Sequence, residues 1–142
     1  PSYKISKSTI KINFPLNFDL KTPDNQKVIR KIVEESWRQE AKEILPALTE
    51  ECANKFDFQY GNISIRNTKS KWGSCSYDNK LNFSLHLMRL PKHLIEYVVL
   101  HELCHTIEKN HQKSFWDLMN RVTDNKAKLL DKELKAYSTK IY

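Results

Sequence analysis

No stretch of the 142-residue chain approaches the roughly 18 consecutive apolar residues that a membrane-spanning helix needs. The amino end, PSYKISKSTIKINF, has lysines but lacks the continuous apolar block of a secretory signal. The expectation is therefore a soluble, cytoplasmic protein with no membrane association. CxxC pairs are also missing. The three cysteines, Cys52, Cys75 and Cys104, are an odd number, which argues against both a disulfide framework and a cysteine-ligated zinc knuckle. There is no internal repeat and no low-complexity tract. An acidic balance is absent as well: 24 Lys and Arg against 17 Asp and Glu give a net charge of +7. That charge would suit nucleic acid. The basic residues are scattered from Lys4 to Lys135, however, which is the pattern of a solvated mixed surface rather than a binding stripe. A chain this long fits one domain, residues 1–142, with a modest core.

The apolar pattern that is present reads as mixed α and β structure. In STIKINF, Ile10, Ile12 and Phe14 alternate with polar residues as in a half-buried strand. From Pro23 the apolar residues Val28, Ile29, Ile32, Val33, Trp37, Ala41, Ile44, Leu45 and Leu48 recur at three and four, a long amphipathic helix. Pro46 removes a donor inside that pattern and predicts a kink or restart, with a second segment to about Lys55. The period then changes to two, with Phe56, Phe58 and Tyr60, then Ile63 and Ile65, and a turn or bulge at Gly61. KLNFSLHLMRLP puts Leu81, Phe83, Leu85 and Leu87 on one face, a strand of an antiparallel sheet, with a simple hairpin through TKSKWGSCSYDNK joining the two strands. Pro91 opens a helix that is apolar nearly all round. Phe115, Trp116, Leu118, Met119 and Val122 form a helix packed against it, and a charged carboxy-terminal helix has Leu129, Leu130, Leu134 and Tyr137 as its inner stripe.

The chemistry concentrates in HELCHTIEKNH, residues 101–111. His101 and His105 are four apart and project from one helical face, so two nitrogens can meet one ion. Glu102 is rotated by roughly 100 degrees, beside such an ion and not on it, where a carboxylate can deprotonate a water. This is the HExxH arrangement of zinc hydrolases. Ionised Glu102 and two imidazoles on a buried helix are costly to desolvate unless something pairs with them, and a divalent cation supplies the pairing. A catalytic zinc takes three protein ligands and leaves one position open. His111 is the candidate third ligand. In a continuous helix it would lie about 9 Å along the axis from His105, so the chain must turn between Ile107 and His111. Asn110, preceded by Lys109 against the helix dipole, is the expected left-handed stop. A metzincin is not assigned, because Glu108 replaces the helix-ending glycine and no Met-turn follows. A glutamate from a later helix, such as Glu133, is the alternative third ligand.

The segments IRNTKSKWGSCSYDNKLNFSLHLMRLP, YVVLHELCH and NHQKSFW, in that order, resemble the YgjP-like metallopeptidases, a zincin group related to the SprT-like proteins. The resemblance spans about Ile63 to Leu118. It implies an α+β, zincin-like domain with a small antiparallel or mixed sheet packed on the long amino-terminal helix and the buried HExxH helix. It also implies zinc (Zn2+) on His101, His105 and His111, Glu102 as base, and an edge strand beside the cleft. Residues 1–22 then read as an amino-terminal strand segment, the remnant of a longer amino-terminal region. Trp72, Gly73 and Ser74 are candidate substrate-binding residues, with Trp72 as core and Gly73 as a mere turn the competing reading. Cys75 is a packed thiol or an inhibitory thiolate, and Cys104 a packing residue. His86 and His93 are ordinary surface or packing histidines. Arg66, Tyr97 and Asn110 are candidate oxyanion donors, none singled out. The expected function is peptide-bond hydrolysis of a peptide or protein substrate by Glu-assisted attack of a zinc-bound water. Hydrolysis of a phosphate ester or nucleotide anhydride, and a nucleic-acid-associated module with structural zinc, are the alternatives.

Overall fold

A computed structural model describes residues 2–6 and 9–137. At the amino end, β1 (Ser2–Ser6) and β2 (Thr9–Asn13) form an antiparallel pair, with Ser2 opposite Asn13 and Ser6 opposite Thr9. The strand expected in STIKINF is present, and it belongs to a two-stranded sheet separate from the main one. Pro23 then opens α1 (Pro23–Phe56), where the Thr22 hydroxyl accepts the Asn25 N–H at 3.2 Å.

The helix runs unbroken through Pro46, contrary to the expected kink or restart. The missing N–H and ring clash cost roughly 3 kcal/mol in a helix interior. Burial on both sides of the proline offsets that cost, because Ala41, Leu45, Thr49, Cys52 and Ala53 all face the core. Asp57, at φ 62°, ends the helix, and the Phe58 N–H returns to the Ala53 carbonyl at 2.9 Å. Phe56, Phe58 and Tyr60 are therefore a helix end and a loop, not the expected strand. Their spacing of two arose because a helix terminus and the loop after it both turn aromatic rings inward.

The main sheet contains β3 (Ile63–Arg66), β4 (Gly73–Cys75) and β5 (Leu81–Ser84) in the order β3-β5-β4. β5 is parallel to β3 and antiparallel to β4. The expected simple hairpin is thus corrected: the connection contributes a third strand, and the tight turn joins β4 to β5 through Ser76–Lys80, with Asn79 at φ 65°. The expected strand also stops at Ser84. Leu85–Arg89 form a 3₁₀ helix, started by the Ser84 hydroxyl accepting the His86 N–H at 3.1 Å. Leu85, His86 and Leu87 are consecutive and all fully buried, which a two-faced strand cannot achieve.

Three helices follow: α2 (Lys92–Cys104), α3 (Lys113–Val122) and α4 (Ala127–Lys135). α2 is buried nearly all round, as its apolar composition predicts, and packs against α1, α3, α4 and β4. Phe115, Met119 and Val122 of α3 enter the core, while Trp116 and Leu118 pack at its margin. On α4 only Leu130 and Leu134 of the expected inner stripe do so. Leu129, one residue and about 100 degrees away from Leu130, is exposed. Tyr137 lies past the end of the helix and is also exposed. The rest of the expected carboxy-terminal helix, residues 138–142, falls outside the described residues. No helix among the described residues is long and apolar enough to cross a membrane.

Candidate active site

The last turn of α2 carries His101 and Glu102, and His105 caps it. The helix stops there and not at Asn110. The Thr106 N–H reaches the Leu103 carbonyl at 3.0 Å, and the N–H groups of Ile107 and Glu108 both reach the Cys104 carbonyl. These tight turns reverse the chain without a left-handed residue, so Asn110 has no positive φ. His105 locks the reversal, its Nδ1–H donating to the Glu108 carbonyl at 2.8 Å. Lys109, expected against the helix dipole, instead donates from Nζ to the Ser76 carbonyl at 3.1 Å and to Asn79 Oδ1, pinning the loop to the β4–β5 turn.

The reversal returns His111 to the other two histidines. The Nε2 atoms of His101, His105 and His111 form a triangle with sides of 3.2, 3.1 and 3.3 Å. Tetrahedral ligands at the usual zinc–nitrogen distance of about 2.0–2.1 Å would be about 3.3–3.4 Å apart, so the triangle has the dimensions of a metal face. The chemistry of the donors agrees. With its proton on Nδ1, His105 turns an Nε2 lone pair into the triangle. Burial, then the neighbouring His105 and His111, push His101 down to about 3, and burial lowers His105 as well. Three imidazole nitrogens converging at these distances fit a shared cation better than they fit one another. His111 is exposed, which leaves the outer side of the triangle open to solvent.

Phe115 supports all three rings from α3. It is fully buried and stacks on His105, with centroids 4.5 Å and planes 22° apart. Its edge contacts with His101 and His111 are at 5.0 and 4.9 Å. Its helical period marked it as core, and nothing in the sequence signalled this second role.

Glu102 is 5% exposed, and burial raises its carboxyl to about 8 against the opposing pull of Lys71. It lies against β4. A Cβ on Gly73 would come within 3.1 Å of Glu102 Cγ and 3.3 Å of its Oε2, so glycine lets the strand approach this closely without displacing the carboxylate. A cavity of about 210 Å³ opens beside them, bounded by Trp72, Gly73, Tyr97, His101, Glu102 and Asp131. The Tyr97 hydroxyl donates to Asp131 Oδ1 at 3.2 Å, and burial followed by Asp131 raises the phenol far above its ordinary value. Tyr97 therefore remains a donor at any working pH.

The other candidates separate cleanly. Trp72 both packs on the core and lines the cavity. Ser74 faces the opposite side of the sheet, where its hydroxyl accepts from Asn82 Nδ2 at 3.4 Å, and Arg66 lies on that side too, its Nε 3.0 Å from Asn82 Oδ1. Asn110 is exposed on the reversal loop. Glu133 is taken by His93 Nε2 at 2.7 Å and is not among the grouped potential ligands, which are the three histidines alone among the described residues. Cys75 is a half-buried thiol raised by burial, with Lys109 Nζ 4.0 Å from its sulfur, and Cys104 is fully buried. His86 is fully buried, so of the two readings for it packing holds, while His93 is at the surface.

The fold has solved counterparts. The crystal structure of the metallopeptidase zymogen of Pyrococcus abyssi abylysin superimposes with a TM-score of 0.57 at 21% identity, covering 66% of this chain and 94% of that one. The metallopeptidase zymogen of Methanocaldococcus jannaschii jannalysin gives the same score and identity, covering 66% and 96%. No curated protein matches the chain in sequence. A family model described as YgjP-like, metallopeptidase domain, matches residues 2–137, and the chain belongs to that family.

Proposed function

We propose that residues 1–142 act as one zinc-dependent metallopeptidase domain of the HExxH type, working in the cytoplasm on peptide or protein substrates. The observation that carries this reading is the Nε2 triangle of His101, His105 and His111 beside a buried carboxylate, Glu102, at the edge of an open cleft. Family membership supports peptide-bond hydrolysis with a metal ion. When bound, a divalent ion on the three imidazoles would polarise a scissile carbonyl and acidify a water.

The chain's own residues account for the remaining requirements. Glu102 is the proton carrier: a carboxylate whose burial favours the protonated form takes a proton from the attacking water and passes it to the leaving amine nitrogen. Of the three candidate oxyanion donors Tyr97 alone lines the cleft, and it would serve only by turning its one proton from Asp131 to the substrate. β4 offers a binding edge. Trp72 O accepts from Ser84 N and Ser76 N donates to Lys80 O, so in the alternating antiparallel pattern Gly73 and Cys75 turn their N–H and C=O groups away from β5. An extended peptide would pair with those groups. This supports Trp72 and Gly73 as substrate-binding residues through backbone and aromatic contact, and Ser74 only from the far face.

The test is elemental analysis paired with peptide hydrolysis for the parent and Glu102→Gln. One zinc per chain in both proteins, with turnover at least about a thousandfold lower in the variant, is the expected result. Full turnover by the variant would overturn the assignment of Glu102.

A further inference from the structure

A second cavity of about 210 Å³ lies on the face of the sheet away from Glu102, lined by Arg66, Thr68, Lys71, Ser74, Asn82 and Ser84. Each of these side chains carries a hydrogen-bond donor, although that of Ser84 is committed to the Thr68 carbonyl, and no carboxylate lines the cavity. Arg66 and Lys71 have no ion-pair partner among the described residues, whereas Arg38, Lys69, Lys80 and Lys135 each have one. The Arg66 guanidinium is held in place: its Nε donates to Asn82 Oδ1 at 3.0 Å, and Asn82 in turn donates to the Ser74 hydroxyl. The loop closing the cavity is tied down by the Ser84 hydroxyl, which donates to the Thr68 carbonyl at 2.7 Å. Two cations without an ion-pair partner among the described residues, together with the hydroxyls of Thr68 and Ser74, make this concavity a receptor for an anion.

Its position indicates which anion. Lys71 and Gly73 line both cavities, so β4 is the wall between this concavity and the catalytic cleft. A peptide paired with the outer edge of β4 would send alternate side chains to opposite faces of the sheet. One set would point toward Glu102 and the next toward Arg66 and Lys71. We propose that this cavity is a specificity subsite for an acidic side chain of the substrate, one position along from a residue that faces the cleft. The inference rests on the peptidase reading and adds the class of substrate to it. A nucleic-acid ligand fits less well. The only aromatic side chain in the lining, Phe83, is 1% exposed, so no base could stack on it.

The experiment uses full-length Glu102→Gln protein loaded with zinc and a set of blocked alanine peptides in which one Glu, or its Gln counterpart, is moved along the sequence. Binding is followed by tryptophan fluorescence. At one register the Glu peptide should bind about tenfold more tightly than the Gln peptide. That ratio should fall to about one when Arg66→Gln and Lys71→Gln are added, and it should shrink with rising salt because both cations are exposed. Equal affinity of Glu and Gln peptides at every register overturns the proposal, as does failure of every peptide to bind. Tighter binding of an oligonucleotide than of any Glu peptide overturns it in favour of nucleic acid. Turnover of the same peptides by the parent enzyme is scored separately: charge-dependent binding without hydrolysis would defeat the peptidase reading and leave the subsite standing.

Discussion

Phe115 and His105 lie face to face, ring centroids 4.5 Å apart, and this stack joins α3 to the end of α2 at the point where the histidines converge. One fully buried ring thus serves the core and holds the orientation of three imidazoles. Phe115→Ala should cost about 3–5 kcal/mol of stability in denaturant unfolding. Phe115→Leu, which keeps most of the volume, should retain the fold but lower metal affinity by about tenfold, as loss of a ligand-orienting contact does. Unchanged metal affinity in the Leu variant would show that the ring only fills space.

Gly73 is where strand and carboxylate meet. Gly73→Ala places a methyl 3.1 Å from Glu102 Cγ and 3.2 Å from the Asn82 carbonyl, so either the side chain or the strand must shift. A shift of a few tenths of an ångström at a proton carrier should lower turnover by about tenfold or less, since a misplacement of about 1 Å costs roughly 100-fold. The zinc content should not change, since none of the three imidazoles is touched. Peptide hydrolysis and elemental analysis on one preparation measure both.

Lys109 fastens the reversal loop to the β4–β5 turn. Lys109→Ala should leave the melting temperature almost unchanged, because the residue is exposed, while weakening metal binding by about tenfold through a looser His111. Competition with a zinc-sensitive chelating dye gives the affinity directly.

The metal-stripped protein should have a stability maximum near pH 6.5. Burial raises Glu102 from 4.5 to about 8, so between those values the folded state holds a proton that the unfolded chain has released, and stability falls as pH rises. His101, His105 and His86 are all lowered from 6.5, chiefly by burial. Below 6.5 the unfolded chain takes up protons that these imidazoles refuse, so stability falls as pH drops. Just below 6.5 the three imidazoles together outweigh the single carboxylate, and toward 4.5 His101 alone still offsets it. Melting temperatures across pH 4–9 should therefore peak, and Glu102→Gln should remove the decline between 6.5 and 8. A decline of equal steepness in the variant would rule out Glu102 as its source.

What the sequence revealed follows from how local each signal is. HExxH spacing is a property of one helix, so His101, Glu102 and His105 were legible at once. His111 was legible only as a requirement that the chain turn back, and the turn itself was misplaced, because successive tight turns after Cys104 achieve it without Asn110. The α1 pattern was correct while Pro46 misled, since tertiary burial outweighed a local penalty. Strand pairing was the least legible. A parallel β3–β5 pair with β4 crossing to the edge depends on contacts that no window of alternating residues contains. Likewise Phe115, Lys109 and the Tyr97–Asp131 pair act through contacts between elements, and their spacing in the chain carries no trace of the site.

The central claim, that three imidazoles hold one cation with a corner left to solvent, is tested most directly by zinc-edge X-ray absorption on the loaded protein in solution. The account predicts three nitrogen scatterers with imidazole signatures at about 2.0–2.1 Å and one further light-atom ligand that is displaced by a hydroxamate. A shell of four protein ligands that does not respond to the hydroxamate, or a sulfur scatterer at about 2.3 Å, would contradict it.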